Sequence, residues 1–386
     1  MRKVALQCSL FTLLFTASPG SASDGVLEIN QICATTTGCF AGDVAGFPVT
    51  IAVPGSYILT SNLGIADQNT SAISVTTQDV GIDLNNFAII GPVTCSGPPL
   101  VCTPSSGTGS GVESSPISNR NVSVKNGSIT GMGYCGVMVG PESELRNLRV
   151  RWNGGCGLFA GDDSTMSRNT AHENQMAGIH AGRGSLITGS TSYGNGSSGI
   201  HAGYGSTISS NTTRLNEGNG IEVPGGGATI FGNTISSNSK MGIETTNAAT
   251  ISNNTVRGNG SHGVWVQSGA TIMGNSVYES GSIGIYAHLN ANISENTVSG
   301  NDGSGIYASN SNVSANTVNQ NGQYGIEAGG GSAVQHNTVR GNASRGLQLD
   351  SLTTYRGNTI TDNTTGTVAG GIDMGANSCN GATVCP

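Results

Sequence analysis

Charge is scarce in this 386-residue sequence. Only 10 % of its residues are Asp, Glu, Lys or Arg, and no basic patch gathers the few cations. That argues against nucleic acid as a partner, because phosphate backbones are held by clustered Lys and Arg. Long apolar runs are missing too. Beyond the first two dozen residues no stretch approaches the ~18 apolar residues of a membrane-spanning helix, so no membrane span is expected. Amphipathic runs of ten or more residues are absent, which excludes repeats built from helical hairpins. Aromatic residues make up 5 % of the chain, so the places where they gather carry information.

Residues 1–23 combine Arg2 and Lys3, an apolar run from Val4 to Phe15 and the small residues SPGSAS. They are expected to be a secretory signal cleaved near Ala22 or Ser23, giving a secreted or periplasmic protein. Without them, 13 Lys and Arg face 22 Asp and Glu, a net charge of −9 with His neutral. Of the nine cysteines, Cys8 belongs to this segment. The other eight fall in close pairs, Cys33/Cys39, Cys95/Cys102, Cys135/Cys156 and Cys379/Cys385. An even count after export supports four disulfides with those pairings. For Cys135 and Cys156 the alternative is a pair of stacked buried thiols.

What the chain does have is a repeat. A glycine followed by an aliphatic residue recurs at Gly136-Val137, Gly157-Leu158, Gly178-Ile179, Gly199-Ile200, Gly220-Ile221 and Gly242-Ile243, and continues to Gly346-Leu347. The intervals are 21 residues apart from one of 22, after Gly220, and one of 20, after Gly305. A fixed period of this length marks a stacked repeat. Two further apolar columns keep the same phase, one through Ile187, Ile208 and Ile230, the other through Ile235, Val256 and Val277. Three short apolar pulses per period, separated by Gly, Asn and Ser, predict three short strands and three turns. Every coil advances in one direction, so the sheets are parallel. Eleven anchored coils at ~4.8 Å each give a prism roughly 50 Å long.

Two asparagine columns run in register, one through Asn211, Asn233 and Asn254, the other through Asn174, Asn195 and Asn216. Asparagine tolerates left-handed turns, and amides in register can bond from coil to coil. The N-x-S/T triplets these columns create are read as a by-product of the ladders, not as glycosylation sites.

With IDLNNFAIIG at Ile82 to Gly91 and NVSVKNGSITG at Asn121 to Gly131 as opening coils, the sequence resembles the right-handed parallel β-helix proteins of the pectin-lyase-like fold. The resemblance implies an all-β, single-stranded right-handed solenoid. It does not fix an activity, because that family includes lyases, hydrolases, epimerases, adhesins and proteins without assigned activity. The expected organisation is an irregular N-terminal cap at residues 24–61, a β-helix at 62–363 with regular coils from about 132, and a C-terminal cap at 364–386. A Ser/Gly/Pro-rich excursion at residues 92–116 carries Cys95 and Cys102 and is either a rim beside a groove or surface filler.

The residue after each Gly-aliphatic step should point outward. That column reads Met138, Phe159, His180, His201, Glu222, Glu244, Trp265, Tyr286, Tyr307, Glu327, Gln348. It holds four aromatics, two histidines and three glutamates, where other outward columns are mostly Ser, Thr, Gly and Asn. Ionisable groups flanked by aromatic platforms suit an extended polysaccharide, and in β-helix enzymes the resemblance implies that this sheet forms the substrate groove. The plain alternative is an exposed sheet face that uses β-favouring aromatics.

Two chemistries fit. Glu222 and Glu244, in neighbouring coils, could serve as nucleophile and acid in glycoside hydrolysis, with proximity raising one pKa. Alternatively His180 or His201, with Tyr193 as a further candidate, could abstract the C5 proton of a uronate, in a lyase or an epimerase. Arg183, Arg214 or Arg151 would then neutralise the carboxylate. Tyr193 and Arg214 belong to a second outward column, expected at the border of the groove. Trp265, Tyr286 and Tyr307 are the expected sugar contacts. The column holds no Asp, which disfavours the calcium-dependent and three-aspartate sites of this fold, and His180 and His201 lack a third zinc ligand. No metal and no cofactor are expected. A non-catalytic glycan-binding or surface-structural protein competes with both enzyme readings, and the oligomeric state stays open.

Overall fold

Side-chain alternation decides how each 21-residue unit folds. In the coil that begins at Gly178, the strands are Ile179–Ala181, Leu186–Thr188 and Thr191–Tyr193. Ile179 and Ala181 point into the core and His180 points out. In the other two strands only the central residues, Ile187 and Ser192, are buried. The computed structural model, which describes residues 25–104 and 107–385, repeats this pattern along the chain. The expected signal segment lies outside the described residues.

Like positions lie above one another. Ile200 is the register partner of Ile179 and of Ile221, and Ile221 of Ile243. The first sheet contains 15 parallel strands, from Val49–Ile51 to Val368–Ala369. The second and third sheets merge into one array of 29 strands, because Val122–Thr130 and Glu144–Arg151 run unbroken across the corner between them. One hydrophobic core runs from Ile29 to Cys379. The fold is thus the parallel solenoid that the period predicts.

Both asparagine columns form buried ladders. Asn211, for example, donates its side-chain amide to the Ile187 carbonyl at 2.9 Å and to Asn233 Oδ1 at 3.1 Å. The first ladder reaches Asn377, past the last position visible in the sequence pattern. Asn195, Asn211 and Asn342 are buried with their amide N–H groups engaged, so the triplets they begin are closed to a glycan. The triplets at Asn292 and Asn312 lie outside the ladders, at exposed positions.

The second ladder has one gap. Ser280 stands where the neighbouring coils have Asn259 and Asn301, and both Asn259 Nδ2 and Ser280 Oγ are buried without a partner. Orphaned buried polar groups cost about 1–3 kcal/mol. Ser280→Asn is therefore expected to stabilise the protein by about 1–2 kcal/mol in a denaturant titration, and an unchanged midpoint would show that the gap costs nothing.

Sheet pairing extends past both boundaries expected from the period. Val26–Ile29 already pairs with residues 56–59, and Val49–Ile51 with residues 73–75. Residues 24–61 also hold a short helix, Gln31–Thr36, which Asn30 caps and Ala34 anchors in the core. At the other end, strands Ile372–Asp373 and Ser378–Cys379, inside residues 364–386, pair with residues 354–355 and 359–360 of the preceding coil. These segments hold strands without the 21-residue spacing, so periodicity alone could not find them.

All four expected disulfides are present, Cys33–Cys39, Cys95–Cys102, Cys135–Cys156 and Cys379–Cys385. They do different work. Cys135–Cys156 staples adjacent coils with its Cα atoms 4.5 Å apart. Cys33–Cys39 and Cys379–Cys385 each span only six residues, so they close small loops at the two ends and join no coil to the next. Cys39 and Cys385 lie in no strand or helix and are half-buried, packed against the core and not within it. Bonds of this kind persist in oxidising compartments. Among the described residues no helix is long and apolar enough to cross a membrane.

The 92–116 excursion forms an antiparallel hairpin, Thr94–Ser96 with Val101–Thr103. It docks on the corner between the third and first sheets. Gln175 accepts from the Cys102 amide at 2.9 Å and donates to the Leu100 carbonyl at 2.9 Å. Glu217 accepts from the Leu100 amide. Val93, Cys95, Leu100 and Cys102 make a small second core against Trp152. The hairpin is therefore a rim along one edge of the first sheet.

Candidate functional site

The outward column of the first sheet is continuous. Register pairs run Phe159 to His180, His180 to His201, His201 to Glu222, Glu222 to Glu244 and Glu244 to Trp265. Each of these side chains is half-buried between its neighbours above and below.

His180 is wedged between rings. Its centroid lies 4.9 Å from Phe159 and 4.6 Å from His201. Burial, then the neighbouring His201, pushes its pKa down to about 4, against a smaller upward pull from Glu222. His180 is thus a neutral imidazole at pH 7. His201 turns its Nδ1 to Glu222, 3.6 Å from Oε2. The close approach of His201, the hydrogen bond that Glu222 accepts from the Ser198 hydroxyl and the charge of Lys240 hold its pKa at about 2 despite burial. Of the two neighbouring carboxyls, Glu222 is thus not one that is raised, and it stays ionised.

Glu244 has its own donor, Asn219 Nδ2 at 2.5 Å. Ser198 and Asn219 share a position, the residue just before the Gly-aliphatic step, and each reaches the outward residue of the following coil. Ser304 does the same to Glu327 at 3.3 Å, and His262 packs on Tyr286 at 5.3 Å. These supporting residues were missed because their identities vary. Their constant phase, one place before each glycine, is the signal that could have found them. An open cleft of about 490 Å³ lies where this position meets the column, lined by Ser198, Asn219, Glu222, Lys240, Met241 and Glu244 among others.

The three outer aromatics are stacked on one another. Tyr286 and Tyr307 are parallel within 5° with centroids 4.7 Å apart, a stacked pair in which each ring covers part of the other's face. Trp265 and Tyr286 are parallel within 5° at 6.3 Å. Ring faces that cover one another cannot receive sugar rings. What remains for a ligand is the ring edges, the hydroxyls and the end faces of Trp265 and Tyr307.

Tyr193 and Arg214 stand on the third sheet. There His172 stacks on Tyr193 at 4.7 Å, and the Arg214 guanidinium lies 4.4 Å above the Tyr193 ring. The docked hairpin occupies the corner between that sheet and the first, so these two residues and the His180 row are on opposite sides of the rim. Arg183 follows the His180 strand, exposed in the next turn, and its amide donates to Asp162 Oδ1 at 2.8 Å. The structure therefore brings together His180, His201, Glu222 and Glu244 in one row, with Lys240 lining the cleft beside the two glutamates.

The titration of His180 can be checked directly. By ring NMR it is expected to stay neutral at pH 5, with an apparent pKa of about 4. Glu222→Gln removes the one upward influence and should lower it further. Because the folded-state pKa lies below the unfolded value, His180 costs stability as pH falls from about 6.5 towards 4. An imidazole titrating near 6.5 would contradict the wedged geometry.

A family model described as right handed beta helix region matches residues 110–250 and 243–380. No curated protein matches the sequence. Among solved structures, the mannuronan C-5 epimerase AlgE6 A-module of Azotobacter vinelandii is similar, with a TM-score of 0.52 at 15% identity, over 83% of this chain and 91% of that one. The catalytic unit of a GH87 α-1,3-glucanase from Streptomyces thermodiastaticus gives 0.39 at 13% identity, over 85% and 62%. At these identities the likeness concerns the fold.

Proposed function

Since this chain belongs to the right-handed β-helix family, whose coils here set unlike side chains in one outward row, we propose that it is an exported protein acting on an acidic polysaccharide at His180, His201, Glu222 and Glu244. The reaction class that fits best is abstraction of the C5 proton of a uronate, as in a lyase or an epimerase. The observation that carries this reading is the pair His180 and Glu222, a neutral imidazole and a carboxylate held ionised one coil apart from a shared His201. The AlgE6 A-module, a mannuronan C-5 epimerase, has a similar fold, which supports a uronate polymer as the first substrate class to try.

Each group has a role. His180 takes the C5 proton with its free lone pair. Lys240, beside the two glutamates, and Arg183, in the turn after the His180 strand, neutralise the sugar carboxylate and stabilise the charge that develops on it. His201, held by the Glu222 carboxylate, returns a proton either to the departing O4 or to the opposite face of C5. Glycoside hydrolysis would need Glu244 as the protonated acid beside an ionised Glu222, and the Glu244 carboxyl already accepts from Asn219 Nδ2.

The purified protein should be screened against acidic and neutral polysaccharides, reading unsaturated uronate absorbance and new reducing ends together. Unsaturated product from acidic polymers alone, reduced at least ~100-fold in His180→Ala, is expected for a lyase. Reducing ends without unsaturation would instead select a hydrolase. Affinity without turnover, unaffected by His180→Ala, would select a binding protein.

A further inference from the structure

The basic residues are unevenly placed. None lies between residues 24 and 119, whereas Arg120, Lys125, Arg146, Arg149, Arg151 and Arg168 follow within about two coils. Three of these are neutralised, Arg120 by Glu142, Lys125 by Asp83 and Arg146 by Glu144. Arg149 and Arg168 have no carboxylate of the described residues within 4.0 Å. Both line an open polar cleft of about 440 Å³ at the corner between the second and third sheets, well apart from the His180 row.

The cleft is built for one sign of charge. No acidic residue lines it, and its other walls include Asn86, Asn126, Asn147, Ser128 and Thr170. The nearby Asp83 carboxylate is already engaged by Asn126 Nδ2 at 3.1 Å and by Lys125. Asn86, Asn126, Asn147 and Arg168 occupy the same corner position in four successive coils, all in the left-handed region with φ between 54° and 62°. This turn geometry sets their side chains one above another along the corner, and Asn147 Nδ2 bonds Asn126 Oδ1 at 3.2 Å. In the next coil Gly189 takes the position, so no side chain closes that end of the cleft.

We infer that this cleft is a second saccharide site, one that takes a sugar carrying a carboxylate or a sulfate ester. Arg149 and Arg168, rooted in adjacent coils, grip the anionic group, since guanidinium matches such oxyanions in a two-pronged geometry. The amides and hydroxyls of the walls take the ring hydroxyls. The inference does not depend on the reaction proposed for the first sheet. In an acidic protein the site would give an anionic polymer a foothold away from the row that processes it.

The test uses the full chain and the arginine Nε–H resonances, assigned through Arg149→Gln and Arg168→Gln. Probes are a uronic-acid hexasaccharide, a sulfated hexasaccharide, a neutral hexasaccharide and inorganic sulfate. The expected result is saturable shifts of the Arg149 and Arg168 signals with an acidic oligosaccharide and none with the neutral one. The double variant should bind that oligosaccharide at least ten-fold more weakly at this site, with unchanged thermal unfolding. Any turnover of polymer at the His180 row should survive in the double variant for short substrates, which separates failure here from failure of the first-sheet reading. Absence of shifts with both acidic hexasaccharides overturns the inference. Equal affinity for inorganic sulfate also overturns it, since the sugar would then contribute nothing.

Discussion

Gly263→Val is expected to destroy the stacking of the coils around it. A Cβ at Gly263 would sit 2.6 Å from the Gly284 carbonyl oxygen and 2.3 Å from Val277 Cγ1. The valine methyl could rotate away, but the carbonyl cannot, because it accepts the Val264 amide at 2.9 Å in the ladder that joins the coils. The same clash recurs at Gly242, whose Cβ would lie 2.6 Å from the Gly263 oxygen, and at Gly284 and Gly305. The repeated glycine is therefore required by close approach between coils and not by a turn. Overpacking against fixed backbone belongs to the severe class of substitutions, about 4 kcal/mol or more. Because a solenoid couples each repeat to its neighbours, the loss should be local first. Hydrogen exchange should lose protection in residues 243–305 before the rest of the chain, and denaturant unfolding should become multistep. A variant that unfolds like the parent would show that the coils are not stacked at this spacing.

Asn275→Asp is expected to cost nearly as much from a change of one atom. Asn275 is 1% exposed. Its Oδ1 accepts from the Asn254 backbone and side-chain amides at 2.9 and 3.0 Å. Its Nδ2 donates to the carbonyls of Ile251 and Met273 and to Asn296 Oδ1, at 2.9, 3.1 and 3.0 Å. An aspartate keeps the shape and the acceptor but turns an oxygen towards those three oxygens. The result is a buried group that must either carry an uncompensated charge or take up a proton. A loss of about 3–5 kcal/mol at pH 7 follows, partly recovered at acidic pH, where the carboxyl protonates and can donate once more. Asn275→Ala, which orphans the same partners without a charge, should fall between Asp and the parent. Equal stability of the Asp and Ala variants, at either pH, would show that the ladder works by turn geometry and not by its hydrogen bonds.

The solenoid was legible because every inward position repeats in kind as well as in phase. Ile200, Ile221 and Ile243 stack because their slot accepts only an aliphatic side chain. Outward positions do not repeat in kind, so the row could be located but not interpreted. Its register placed His180, His201, Glu222 and Glu244 side by side. Only the constant phase of Ser198 and Asn219, one place before each glycine, hinted that they reach into the next coil to hold the two carboxylates, and nothing in the sequence showed that Glu222 would stay ionised. The aromatics show the limit of counting outward residues: at coil spacing, Tyr286 and Tyr307 cover each other's faces. Close spacing was enough to pair Cys33 with Cys39 and Cys379 with Cys385, yet it could not say that these bonds tie only the ends. Docking of the hairpin joins Leu100 to Gln175 and Glu217 across long stretches of chain, and no local pattern reports such contacts.

The most direct test of the proposed chemistry follows solvent deuterium into the substrate. An acidic polysaccharide incubated with the protein in D2O should acquire deuterium at C5 of its uronates, or yield 4,5-unsaturated ends, in a reaction that His180→Ala abolishes. A uronate polymer bound to the protein with its C5 protons unexchanged and its linkages uncut would contradict that chemistry, and the His180 row would then be a surface that holds glycans without transforming them.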